Sequence, residues 1–149
     1  MARRFLLDTN TLIALTDTEH KHHLLAQDWF NNTSNHIWGI CPLTEAGFIR
    51  ITTNANSYPN PRSMGQVIAI LQMLRDFPLF CFWEIKESWV TLTEPFASRI
   101  SGHQQVTDAY LLGLAIKEDL VLVTFDKGVR YMADAEFRRN VCLLGSSAA

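Results

Sequence analysis

An α/β fold is predicted by three features of the 149-residue chain: short apolar runs of strand character, amphipathic helical segments between them, and carboxylates where the runs end. Parallel strands need crossover connections, and crossovers cover both faces of a sheet. Alternation of the two patterns therefore implies a parallel sheet between two layers of helices.

Each element has its own justification. Residues 4–8 hold the apolar run Phe5-Leu6-Leu7 closed by Asp8, and residues 120–124 (Leu-Val-Leu-Val-Thr) form a second, followed by Phe125-Asp126-Lys127-Gly128. Both predict buried strands, and residues 36–40, 81–85 and 141–144 are weaker strand candidates of similar length. Residues 22–33 place Leu25, Trp29 and Phe30 on one helical face, and residues 44–51 place Phe48, Ile49 and Ile51 behind Glu45. Residues 63–77 carry Val67, Ile68, Ile70, Leu71 and Leu74, with Ser63 as N-cap. Residues 106–119 carry Leu111, Leu112, Ala115 and Ile116. Only residues 54–61 and the small-residue tail 145–149 have a flexible composition. A single domain over 1–149 is expected, with its core over about 5–144.

Composition excludes several classes. With 48% hydrophobic and 19% charged residues, neither a disordered nor a collagen-like chain is compatible. Thirteen Lys+Arg against fifteen Asp+Glu leave a net charge of −2, so no global positive field points to nucleic acid, although a local basic patch is still compatible. Cys41, Cys81 and Cys142 are odd in number and lie in apolar contexts, which predicts buried thiols in a reducing compartment and hence a cytoplasmic protein. Asp8 interrupts the apolar run after Arg3-Arg4, against an export signal, and no run is long enough to span a membrane.

In an open parallel sheet, ligands bind beyond the carboxyl ends of the strands. Asp8 and Asp126 sit at such ends, while Glu45 and Asp108 fall near predicted helix starts at the same edge. Acids at helix starts often serve only as caps and partners of the helix dipole. Asp8 is different: a carboxylate among Leu6, Leu7, Leu12, Ile13 and Leu15 is costly without compensation, and no nearby Lys or Arg in sequence offers it. A hard divalent cation would supply that compensation.

Four segments, Leu6-Leu7-Asp8-Thr9-Asn10, Leu43 to Ile51 around Glu45, Gln105 to Leu112 around Asp108, and Val123 to Gly128 around Asp126, resemble the acidic motifs of PIN-domain nucleases, and more narrowly of VapC toxins. Tyr58-Pro59-Asn60-Pro61-Arg62, Phe82-Trp83 and Gly102-His103 resemble one subgroup of those toxins. The resemblance implies a three-layer sandwich around a parallel sheet of four or five strands. It further implies a Mg²⁺-dependent endoribonuclease, with Mn²⁺ as a substitute ion, a cognate antitoxin and a homodimer. On the family pattern Asp8 and Asp108 are direct metal ligands, and Glu45 and Asp126 bind metal directly or through water, either being able to accept a proton. Asn10 and Thr124 would orient carboxylates or water, unless they are simply a turn residue and a strand-end hydroxyl.

Candidate RNA contacts are His103, Arg50, Arg62, Lys127 and Arg130, each of which has a solvated-surface alternative. His20, His22 and His23 are expected as surface residues at a helix start, and the four tryptophans as core or interface filling. A haloacid-dehalogenase-type phosphatase is disfavoured because Asp8-Thr9-Asn10 lacks that chemistry's second Asp. A receiver domain is disfavoured by the lack of adjacent acids on the first strand. A non-catalytic, metal-stabilised RNA-binding or scaffold protein is the alternative from another class.

Overall fold

The computed structural model describes residues 3–33 and 35–145. Five parallel strands, β1 (Arg4–Leu7), β2 (Ile37–Ile40), β3 (Phe80–Phe82), β4 (Val121–Thr124) and β5 (Val141–Leu143), form one sheet in the order β3-β2-β1-β4-β5. β1 is central, with Leu6 beside Gly39 of β2 on one side and Leu122 of β4 on the other. The chain first builds outward from β1 through β2 to β3, then returns to the opposite side of β1 with β4 and β5. The order therefore reverses between β1 and β4.

Among the described residues seven α-helices cover the two faces: α1 (Thr9–Thr16), α2 (His23–Thr33), α3 (Pro42–Thr52), α4 (Met64–Arg75), α5 (Trp89–Thr93), α6 (Val106–Glu118) and α7 (Lys127–Ala133). Successive strand side chains point to opposite faces, and the two cores divide accordingly. Phe5, Leu7, Val121 and Val123 pack with Leu12, Trp29, Phe48 and Leu71 from α1–α4. Leu6 and Leu122 pack with Phe96, Leu111, Leu112 and Met132 in the layer of α5–α7. The predicted three-layer α/β sandwich is thus present, and among the described residues no helix is long and apolar enough to cross a membrane.

Several boundaries differ from the sequence prediction for physical reasons. β1 stops at Leu7, because Asp8 takes an extended conformation and caps α1, a helix the sequence did not predict. Thr9-Asn10-Thr11 are weak helix formers, and their helix is held by tertiary contacts instead. Edge strand β3 covers Phe80–Phe82 rather than 81–85, since its one partner, β2, ends with the pair Ile40 and Phe82. Phe125 to Gly128, read only as a strand end, leads into α7, and α5 likewise lacked a sequence signal. Ser63 does cap α4, in a reciprocal capping box with Gln66, although the helix ends at Arg75 rather than 77.

Residues 54–61 are tied down rather than loose. The Tyr58 hydroxyl donates to Asp17 at 2.5 Å, Asn60 donates to Glu19 at 2.9 Å, and Arg62 donates to the Thr16 carbonyl at 2.9 Å. Of the three thiols only Cys41 is fully buried, Cys81 and Cys142 being half-buried, and burial raises the pKa of all three. The flexible tail expected over 145–149 lies, beyond Gly145, outside the described residues.

Candidate active site

The carboxyl ends of β1 and β4 lie side by side at the reversal of strand order, where an open parallel sheet leaves a crevice. Asp8 leaves β1 there and is buried, with 5% of its surface exposed. One carboxylate oxygen accepts the Thr11 N–H at 2.8 Å, and the other accepts the Thr124 hydroxyl at 2.5 Å across the sheet. The Thr124 oxygen in turn accepts the Asp126 N–H at 3.0 Å. One hydroxyl therefore fixes the end of β4, the rotamer of Asp8 and the start of the Asp126 turn. The Thr11 hydroxyl donates to the Val123 carbonyl at 2.9 Å, and the Thr44 hydroxyl of α3 donates to the Leu7 carbonyl at 2.7 Å. These bonds pin the first turns of α1 and α3 to the strand ends.

Asp126 caps α7, its carboxylate accepting the Gly128 N–H at 2.8 Å. A Cβ on Gly128 would stand 3.0 Å from the Gln105 amide nitrogen and 3.1 Å from the Asp126 carboxylate, so glycine lets the two side chains close on this turn. Asp108, in the first turn of α6, shares a hydrogen bond with the Asp126 side chain. Burial, that hydrogen bond and the charges of Asp8 and Asp126 push the Asp108 carboxyl up to about 7. Burial also raises Asp8, against the hydrogen bonds from Thr124 and Thr11 that favour its ionised form.

The structure thus brings three of the four predicted acids, Asp8, Asp108 and Asp126, within electrostatic reach of one another. Glu45 stands half-buried in the first turn of α3, and its carboxylate lies 3.6 Å from the Arg75 guanidinium of α4. The approach of α3 to α1 is close: a Cβ on Gly47 would fall 2.5 Å from the Thr9 hydroxyl. Asn10 is exposed on the first turn of α1. His103 lies exposed in a short 3₁₀ turn before α6, and Arg50 lies exposed in the last turn of α3. Arg62 is engaged by α1 and lies over the Phe48 ring at 5.5 Å. Lys127 is exposed and Arg130 half-buried, both on α7.

Among the described residues no group of three or more His, Cys, Asp or Glu side chains forms a ready-made metal cage. The donor chemistry nevertheless fits a hard divalent cation. All three converging groups are carboxylates, none has an ion pair among the described residues, and the cluster relieves its repulsion by holding a proton on Asp108 up to about pH 7. An oxygen-seeking cation would replace that proton.

The PIN domain family model matches residues 5–135, which contain this whole constellation. The chain belongs to the PIN domain family. Among its PIN relatives, ribonuclease VapC38 of Mycobacterium tuberculosis is 38% identical over 139 residues, covering 93% of this chain and 96% of the relative. Ribonuclease VapC44 of the same species is 35% identical over 130 residues, covering 87% and 91%. Among solved structures, FitAcB from Neisseria gonorrhoeae superposes with a TM-score of 0.62 at 17% identity, covering 87% of this chain and 93% of that one. That similarity supports the fold.

Sequence reasoning missed Thr11, Thr44, Gln105 and Phe125. The spacing of Asp8 and Thr11 is a capping signature that could have revealed α1. The hydroxyls of Thr11 and Thr44 act on strands 112 and 37 residues away, which no local pattern exposes. His22 is not a plain surface residue: its ring stacks on Phe125 with centroids 4.7 Å apart and planes 15° apart.

Proposed function

We propose that this PIN-domain chain is a divalent-metal-dependent endoribonuclease, acting as the toxin of a toxin–antitoxin pair whose cognate antitoxin blocks the same acidic crevice. The observation that carries this reading is the convergence of Asp8, Asp108 and Asp126 at the switch point with no basic side chain paired to them among the described residues. The ribonuclease names of relatives at 32–38% identity support RNA as the substrate. The same reading takes 1–149 as a single nuclease domain in a cytoplasmic homodimer.

Asp8, Asp108 and Asp126 would hold Mg²⁺ or Mn²⁺, with Glu45 turning from Arg75 to join them. When bound, the cation supplies neutralisation of the phosphate charge and lowers the pKa of water. The chain itself supplies position. Thr124 and Thr11 hold the Asp8 carboxylate in one rotamer, so it needs no reorganisation when substrate arrives. Cleavage adds water across a phosphodiester: the water oxygen bonds to phosphorus, the bridging oxygen leaves, and the water's proton passes to a base. Either Asp126, which is exposed and accepts the Gly128 N–H, or Glu45, half-buried beside Arg75, would take that proton.

The test is incubation of purified protein with total cellular RNA, in Mg²⁺ and in EDTA, with mapping of new 5′ ends. Discrete cuts that require Mg²⁺ and vanish in Asp8→Asn are expected. Metal-independent cuts, or none, contradict the enzymatic reading. Growth arrest on expression of the chain, relieved by a small protein encoded beside it, tests the toxin role separately.

A further inference from the structure

Beside Asp126 in the chain, α7 and the ends of the neighbouring elements line an open cleft of about 900 Å³, within the size range of real ligand sites. Arg99, Lys127, Arg130 and Arg138 line it, against one acid, Asp134. Arg99 is already engaged, bonded to the carbonyls of Met132 and Ala133 and paired with Glu136 at 3.2 Å. Lys127, Arg130 and Arg138 have no ion pair among the described residues, and the Nε of Arg130 is buried without a hydrogen-bond acceptor. A buried donor left unpaired is costly, and a ligand bringing acceptor oxygens would satisfy it. On a chain of net charge −2, three unpaired cations in one concavity form a local anion site.

A smaller pocket of about 190 Å³ adjoins it, sharing Lys127 and the end of β5, and is faced by the stacked rings of His22 and Phe125. Phe125 lies between Thr124, which holds Asp8, and Asp126. Lys127, which follows Asp126 in the chain, thus lines both hollows, with the aromatic rings in one and the other cations in its neighbour. An acidic polypeptide would use the cations but has no need of the rings, whereas single-stranded nucleic acid uses both, phosphates on the cations and a base on the aromatic surface.

We infer that this paired cavity and pocket form the groove that holds single-stranded RNA next to the acids, with Lys127, Arg130 and Arg138 on phosphates and the His22–Phe125 stack beneath a base. The inference rests on the ribonuclease reading, and its test separates the two. Binding of a short labelled mixed-sequence single-stranded RNA would be measured in EDTA, over a range of salt, for wild type, Lys127→Gln/Arg138→Gln, Phe125→Ala and His22→Ala. Lys127 and Arg138 are exposed, so the double variant should fold normally; thermal melts check Phe125→Ala, and His22→Ala removes half the stack from the other side. The double variant should bind about tenfold more weakly, with the slope of log affinity against log salt shallower by about one to two. Phe125→Ala and His22→Ala should weaken binding by about threefold to tenfold with the slope unchanged. Equal binding by all variants, while wild type still cuts RNA, would overturn the groove and leave the nuclease standing. So would poly-glutamate displacing RNA as well as an equal concentration of unlabelled RNA does, which would assign the cavity to an acidic protein instead. Failure of wild type to cut RNA, with the groove variants behaving as described, would remove the nuclease and keep the groove.

Discussion

Asp8 and Asp17 sit at opposite ends of α1, and the helix dipole alone would favour ionisation of the first and disfavour that of the second. The structure shows the reverse. Burial and the neighbouring Asp126 charge raise Asp8 despite its hydrogen bonds. At Asp17 burial works in the same direction, but the Tyr58 hydroxyl, the Glu19 N–H and the Arg62 charge outweigh it and hold the carboxyl below its usual range. Tyr58 shows the other side of that bond: burial and the Asp17 carboxylate push its phenol up to about 12. One end of the helix has a complete set of partners and anchors the 54–62 segment. The other is an acid cluster in which Thr124 and Thr11 favour the Asp8 charge while the acids oppose one another, the pattern that the proposed cation site would need.

The contrast is sharpest in the effect of removing each carboxylate. Asp8→Asn should abolish RNA cleavage, a loss exceeding the roughly 10–100-fold typical of an orienting partner. It should leave the fold intact, because Asn caps a helix as well as Asp does. Asp17→Asn should leave cleavage within about twofold and lower the melting temperature by a few degrees. Cleavage assays and melts on the two proteins would refute the contrast if their effects were exchanged.

Thr124→Val comes next in size. It removes the hydroxyl between Asp8 and the Asp126 N–H, so cleavage should fall by about 10–100-fold while the acids themselves remain. Unchanged steady-state kinetics would show that the rotamer of Asp8 needs no such support. Tyr58→Phe has the counterpart effect at the other end, a loss of about 1 kcal/mol in stability with activity unchanged, read by denaturant unfolding.

The pH dependence of stability should also have opposite signs. Asp108 keeps its proton to about 7 in the folded chain, against 3.8 ordinarily, so the folded state binds more protons than the unfolded one between those values. In EDTA its contribution to stability is present at low pH, falls as pH rises from about 4 through 7, and levels off above. Asp17, with its pKa lowered, contributes stability above its ordinary range that is lost as pH falls through its folded value. Melts across pH for Asp108→Asn and Asp17→Asn, each compared with wild type, would isolate the two slopes, and slopes of equal sign would refute the assignment.

How much of this was legible in the sequence follows from the range over which each feature acts. The strands ending at Leu7 and Thr124 could be read because a buried parallel strand is a short apolar run, and the acids because they punctuate such runs. The capping of α4 by Ser63 was local and equally plain. Helix α1 was hidden because Thr9, Asn10 and Thr11 have little helical propensity, and the helix is held instead by the Asp8 cap on the Thr11 N–H and by the Thr11 hydroxyl on Val123 of β4. Arg62 closes the turn-like Tyr58-Pro59-Asn60-Pro61 stretch in the chain, yet its hydrogen bond goes to Thr16, 46 residues away. That Glu45 lies against Arg75 while the other three acids converge depends on helix packing, which no spacing in the sequence expresses.

The central claim, that the Asp8 end of α1 is a cation site, is tested most directly by thermal melts at pH 7.5 with Mg²⁺ titrated against EDTA on wild type and Asp8→Asn. A cation that binds only the folded cluster adds about 2.7 kcal/mol at a hundredfold excess over Kd, a rise of several degrees for a chain of this length. Wild type should show that rise, and Asp8→Asn should melt no lower than wild type in EDTA and respond far less to Mg²⁺. Equal shifts in the two proteins, or no shift in wild type at millimolar Mg²⁺, would contradict the account.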